Sequence, residues 1–248
     1  MTTNSLSITC LALSVFLSLP AVAKDTDEDT GDTPWSGSVQ FGFSATGGNN
    51  DSTSTNGGVT VLYQKNKWSN KLDFDAIDST SNGETASKIY DMEVGVNYYQ
   101  TDKNFVSYTS SNTYNEFSTY DITLINALGL GRRLVNNKNV TLDVQLGPGY
   151  RFQRVAETGE KNEEMIGQVS SNFVWHISKL ASFVQSLNVN SGNDNTQIKA
   201  KSALTTKILE NLGLQLGYTV THNTNQPEGS TNTEKTDYYS SVNVIYSF

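Results

Sequence analysis

The chain closes on Lys235-Thr236-Asp237-Tyr238-Tyr239-Ser240-Ser241-Val242-Asn243-Val244-Ile245-Tyr246-Ser247-Phe248. Taken two residues at a time, Tyr238, Val242, Val244, Tyr246 and Phe248 fall on one face, while Asp237, Ser241, Asn243 and Ser247 fall on the other. A period of two is the pattern of an amphipathic strand. Chain ends fray unless a sheet holds them, so a strand at the extreme C-terminus needs partners elsewhere in the sequence.

Candidate partners recur back to residue 35. Leu214, Leu216, Tyr218 and Val220 alternate with Gln215, Gly217 and Thr219, and Ile198, Leu204 and Ile208 with Lys199, Lys201 and Lys207. Phe183, Leu187 and Val189 mark one strand; Val169, Phe173, Trp175 and Ile177 against Gln168, Ser170, Asn172 and His176 mark another. Val140, Leu142, Val144, Leu146, Pro148 and Tyr150 alternate with Thr141, Asp143, Gln145, Gly147, Gly149 and Arg151. Pro148 has no ladder donor, so a bulge or pairing defect is expected beside it.

Nearer the N-terminus, Tyr90, Met92, Val94, Val96 and Tyr98 oppose Asp91, Glu93, Gly95 and Asn97, and Leu72, Phe74 and Ala76 oppose Lys71, Asp73 and Asp75. Val59, Val61 and Tyr63 oppose Thr60, and Val39, Phe41 and Phe43 oppose Ser38, Gln40 and Gly42. Between residues 105 and 134 the pattern weakens. Val106 and Tyr108 form an outward set there, but Asn126 interrupts Leu124, Leu128 and Leu130 and leaves the register open. Polar loops at 79–84, 157–163 and 223–234 and shorter turns separate the runs. The chain therefore reads as all-β, with about twelve antiparallel strands in up-and-down order.

The 248 residues carry 17 Lys plus Arg against 25 Asp plus Glu, a net charge of -8, which argues against a nucleic-acid partner. Residues 1–23 hold no charged side chain and end Ala21-Val22-Ala23 before Lys24, the form of a cleaved secretory signal. Cys10, the one cysteine, lies inside it, so the mature chain has no disulfide or thiol chemistry. Residues 24–34 read as a disordered acidic lead-in, and 35–248 as one domain. No later run is long enough for a membrane helix. If the chain spans a membrane, it does so as a closed barrel.

Alternation alone does not say which face is inside; a soluble sandwich or lipocalin-like barrel would bury the apolar one. Three observations favour apolar outside. Short turns alternate with longer loops, as at the two rims of a membrane barrel. The aromatics sort into two girdles. Trp35, Tyr63, Trp68, Tyr98, Phe105, Trp175, Phe183, Tyr246 and Phe248 lie by the short turns, and Phe43, Tyr90, Tyr120, Tyr150, Tyr218 and Tyr238 by the other end. The polar face carries Lys71, Arg133, Arg151, Lys199, Lys201 and Lys207 against Asp73, Asp75, Asp91, Glu93, Asp121, Asp143 and Asp237. A dry core could not hold so many ions cheaply, whereas a wet lumen can.

Trp35-Ser36-Gly37-Ser38-Val39, Phe41-Gly42-Phe43-Ser44, Gly147-Pro148-Gly149-Tyr150-Arg151, Ser191-Gly192-Asn193-Asp194-Asn195 and the ending Ser241-Val242-Asn243-Val244-Ile245-Tyr246-Ser247-Phe248 carry a resemblance. Across essentially the whole mature chain the sequence resembles the bacterial family of salt-induced outer membrane proteins, whose last strands end on an aromatic residue. The resemblance implies a closed transmembrane β-barrel in the outer membrane and a link to salt or osmotic stress. The family has no known activity, so no catalytic residue carries over.

His176 and His222, the two histidines, are expected at opposite ends of the barrel and so cannot share a metal. Asp73 with Asp75 and Asp91 with Glu93 have the spacing any inward strand face gives, and pairing with lysines and arginines across the lumen explains them. Calcium at the Asn- and Gly-rich turns is a weaker reading than turn chemistry. The luminal glycines at 42, 95, 129, 131, 147, 149 and 217 either leave room for solute or let long side chains fold across the bore. No cofactor or enzymatic activity is expected. Expected partners are outer-membrane lipid and lipopolysaccharide, the barrel assembly machinery through the last strand, and ions or small solutes if the lumen conducts. A narrow pore is the leading function, a non-conducting structural barrel the alternative, and a rim hydrolase using His222 a third.

Overall fold

In the computed structural model, residues 33–46, 52–116, 118–225 and 235–248 are described. The signal segment, the lead-in up to residue 32, and the loop residues 47–51 and 226–234 lie outside them. Twelve strands follow in chain order: β1 (Trp35–Thr46), β2 (Ser52–Lys65), β3 (Trp68–Ser81), β4 (Glu84–Tyr99), β5 (Asn104–Asn115), β6 (Tyr120–Asn136), β7 (Val140–Val155), β8 (Lys161–His176), β9 (Ala181–Ser191), β10 (Thr196–Lys207), β11 (Leu212–Asn223) and β12 (Thr236–Ser247). Each pairs antiparallel with its sequence neighbours, and β12 returns to β1, so the sheet is a closed barrel. Closure leaves no free edge strand.

The barrel is inside out. Leu130 is 69% exposed and Leu146 65%, whereas Arg151 is 0% and Asn243 2%. Each large apolar side chain would gain roughly 1.5–3 kcal/mol on leaving water, and here they form an outward belt that the fold itself does not cover. Trp35 with Tyr63 and Trp68 with Tyr98 are cross-strand neighbours whose rings stand 4.7 and 5.0 Å apart on that outer face. They belong to the rim where β1 begins and β12 ends, here the terminal rim; the opposite one is the distal rim. Trp175, Tyr246 and Phe248 are likewise exposed.

Several expectations are corrected. Phe105 is not in the girdle. It is 3% exposed and faces inward, where a Cβ on Gly131 would lie 2.1 Å from its ring, so the glycine makes room for the phenyl group. Tyr120 also turns inward, opposite Val155. Asn126 does not break β6; it lies on the outward face, where the Tyr108 hydroxyl donates to its Oδ1 at 2.8 Å. The expected loop at 79–84 is a two-residue turn in which Asn82 (φ 53°) and Gly83 (φ 83°) both sit in the left-handed region favoured by tight hairpins. The loop at 157–163 is shorter too, because β8 starts at Lys161. Loop length is thus a weaker mark of sidedness than the sequence suggests.

Beside Pro148 the β6–β7 ladder skips from Ala127 opposite Gly149 to Leu130 opposite Leu146, without a change of register. The strands press together there, since a Cβ on Gly147 would lie 1.9 Å from the Leu128 carbonyl oxygen.

Candidate functional site: the lumen

The centre of the lumen follows from the β3–β4 register, which sets Asp75 opposite Asp91 and Asp73 opposite Glu93. Like charges placed across a strand pair repel, so this block of four carboxylates requires cations. Lys71 supplies one, 2.6 Å from Asp73, and the Thr60 hydroxyl donates to the same carboxylate at 2.7 Å. The others come from β10. Lys199 donates to both Asp91 oxygens at 2.8 Å, and Lys201 reaches Asp91 at 2.7 Å, Glu93 at 3.1 Å and Asp75 at 3.7 Å. Thr113 donates to Asp91 at 2.6 Å and Gln40 to Asp75 at 2.9 Å. Four carboxylates thus face three ammonium groups.

β4 and β10 are diametrically opposed, six places apart by either route around the ring. A round twelve-stranded barrel would be about 24 Å across its backbone, while a lysine and an aspartate meeting tip to tip span about 13 Å at most. The two walls therefore approach each other at this level, and the ion pairs bridge the bore. Water still reaches the bridge: the side chains of Lys201 and Glu93 are each 24% exposed, and that of Asp75 33%.

Toward the distal rim the lumen is packed. Arg151 donates to Glu164, to the Asn190 carbonyl at 3.3 Å and to the Asn195 carbonyl at 2.5 Å. Around it, Thr109 donates to Gln168 at 2.9 Å, Gln168 to Asn190 at 2.9 Å and Asn195 to Asn223 at 2.8 Å. Among the described residues only Asn70 Oδ1 is a buried side-chain polar atom without a partner, as polar burial requires.

Toward the terminal rim, Arg133 grips Asp143 through two bonds of 2.8 Å and donates to the Tyr99 hydroxyl at 2.6 Å. Tyr99 and Arg133 border a mouth cavity of about 580 Å³ that also touches Lys65, Lys67 and Asp102.

The thirteen charged residues expected in the lumen therefore do not form one network. Lys71, Asp73, Asp75, Asp91, Glu93, Lys199 and Lys201 meet at the centre. Arg133 and Asp143 pair with each other, and Arg151 pairs with Glu164, which stands just past the loop expected at 157–163 and lies within β8. Lys207 ends β10 at the terminal rim, with no carboxylate within 4 Å among the described residues. Asp237 is exposed near the distal end of β12. Asp121 does not join them: the ladder shifts between Tyr120 and Ile122, and its carboxylate pairs with Arg154, which alternation along β7 turns outward. His222 faces out as well, its Nδ1 2.8 Å from the Thr236 hydroxyl. Among the described residues no cluster of His, Cys, Asp or Glu could hold a metal.

A family model described as "Protein of unknown function, DUF481" matches residues 39–248. An Escherichia coli (strain K12) protein described as uncharacterized protein YdiY is 26% identical over 247 residues, 97% of this chain and 96% of that protein. Among solved structures, the NanC porin is 15% identical with a TM-score of 0.48, over 86% of this chain and 98% of its own. The COG4313 outer membrane channel from Pseudomonas putida F1 is 12% identical with a TM-score of 0.47, over 90% of this chain and 100% of its own.

Proposed function

Since the chain belongs to the DUF481 family, whose activity is unknown, we propose its role from the barrel itself: a narrow outer-membrane pore for ions or small polar solutes. The observation that carries this reading is the ion-paired bridge from Lys199 and Lys201 to Asp91 and Glu93, which stands across the bore yet stays in reach of water. Facing charges of both signs admit small hydrated ions and polar solutes and hold back apolar ones. The uncovered apolar belt supports a bilayer setting, because a barrel meets its backbone groups strand to strand, here, among the described residues, around the whole ring except the distal part of the β1–β12 seam. Residues 1–23 then act as the export signal and 24–34 as a lead-in. Lipid and lipopolysaccharide contact the belt and its girdles, and the assembly machinery takes up the chain through β12.

The packing around Arg151 favours a second reading, a non-conducting structural barrel of the envelope. Planar-bilayer recording of the purified protein separates the two. The pore reading expects small discrete steps that grow when Lys199 and Lys201 are both replaced by alanine. Silence from both proteins, with intact folding, overturns it.

A further inference from the structure

The ladder that closes the barrel is its least complete one. β1 pairs with β12 over four residues, from Ser38 opposite Ser247 to Phe41 opposite Val244, but with β2 over twelve, out to Thr46. β12 stays paired with β11 as far back as Thr236. Beyond Phe41 and Val244 the two strands therefore run toward the distal rim with no ladder between them among the described residues. Just below, Asn56 Nδ2 donates to Asn243 Oδ1 at 2.5 Å on the luminal side of Gly42 and closes the floor.

A cavity of about 290 Å³ lies in this gap. Outward-pointing Phe43, Leu216 and Val242 and inward-pointing Ser54, Asn56 and Ser241 all line it, so it lies within the thickness of the wall, with Tyr239, hydrogen-bonded to Ser54, on its luminal side. Its size is at the low end for ligand sites. Peptide groups facing the gap lack each other as partners, and in hydrocarbon unmet peptide groups are costly, so an occupant must bring polar atoms. Phe43 and Val242, each 62% exposed, offer the opposite chemistry on the lipid side.

We propose that the open part of the β1–β12 seam is a lateral portal for a single-chain amphiphile. The polar head sits among Ser54, Asn56, Ser241 and the seam-facing peptide groups, and the alkyl chain leaves between Phe43 and Val242. The proposal concerns the wall and does not depend on whether ions pass along the axis.

The test uses the nanodisc-embedded mature protein, which carries no cysteine of its own, with Phe43→Cys and Val242→Cys; positions 43 and 242 would face each other if the ladder continued two residues further. The probe is a decyl glucoside bearing a diazirine in its chain, with labelled residues mapped by mass spectrometry. In the parent protein and the reduced variant, labelling at Leu216 and Ser241 should exceed that of the belt residues Leu130 and Leu146 several-fold. Oxidation to the disulfide should abolish the excess and reduction restore it. Ser241→Trp, which fills the cavity without a cross-link, should also remove the excess at Leu216. Uniform labelling around the belt, or a seam signal indifferent to both closures, overturns the portal. A barrel that conducts no current leaves this test unchanged.

Discussion

The Lys199 ammonium lies 2.8 Å from an Asp91 carboxylate oxygen, although β10 and β4 stand on opposite sides of the ring. One bridge thus relieves the repulsion built into the β3–β4 register and ties opposite walls of the lumen together. Replacing both Lys199 and Lys201 with alanine leaves four carboxylates with Lys71 alone. On the pore reading, the lumen should become more cation-selective, and the reversal potential in a KCl gradient should move toward the potassium equilibrium potential. An unchanged reversal potential in a conducting variant would remove the bridge from the permeation path.

Arg151 and Arg154, three residues apart on β7, should differ sharply in effect. Arg151→Met strands a buried carboxylate and two carbonyl oxygens and should cost roughly 3–5 kcal/mol, read as a lower midpoint of unfolding in urea. Adding Glu164→Leu should recover most of that loss. Arg154→Ala removes an exposed pair with Asp121 and should leave the midpoint almost unmoved.

Phe105 fills the space over Gly131. Phe105→Ala should destabilise the barrel by roughly 3–5 kcal/mol through the void it leaves. Gly131→Leu, which alone collides with the ring, should restore part of the loss when combined with Phe105→Ala. Additive losses in the double variant would mean that the two positions do not share that space.

How far the sequence could be read is seen residue by residue. Alternation told inward Asp73 and Asp75 from outward Phe74, because every strand of a closed sheet has one wet and one oily side. It could not tell that Phe105 and Tyr120 point inward, since an aromatic ring suits a rim or a plugged lumen equally. Pairings across the bore were hidden for another reason: strand order says that β4 faces β10, but only relative height matches Asp91 with Lys199 and leaves Lys207 outside. Two further signals lie in the sequence itself. Asn82-Gly83 is a strong hairpin pair, and continuing the alternation back from Gln168 places Glu164 beside Ile166 on the luminal face.

Gly83 tests the hairpin directly. With φ at 83° and no heavy atom within 4 Å of an added Cβ, Gly83→Ala meets backbone strain and no steric obstacle. The expected loss is about 1 kcal/mol, measured by the same urea unfolding. A gain in stability would contradict the turn geometry.

The barrel's inverted arrangement is open to one scan of β12. Single spin labels at 241 to 246 in lipid vesicles report collision with oxygen, which dissolves in the bilayer, and with a water-soluble nickel chelate. Labels replacing Val242, Val244 and Tyr246 should show high oxygen accessibility, and those replacing Ser241, Asn243 and Ile245 low values, in strict alternation. A flat profile, or one in which Asn243 rather than Val244 meets the lipid, would contradict an apolar exterior around a polar bore.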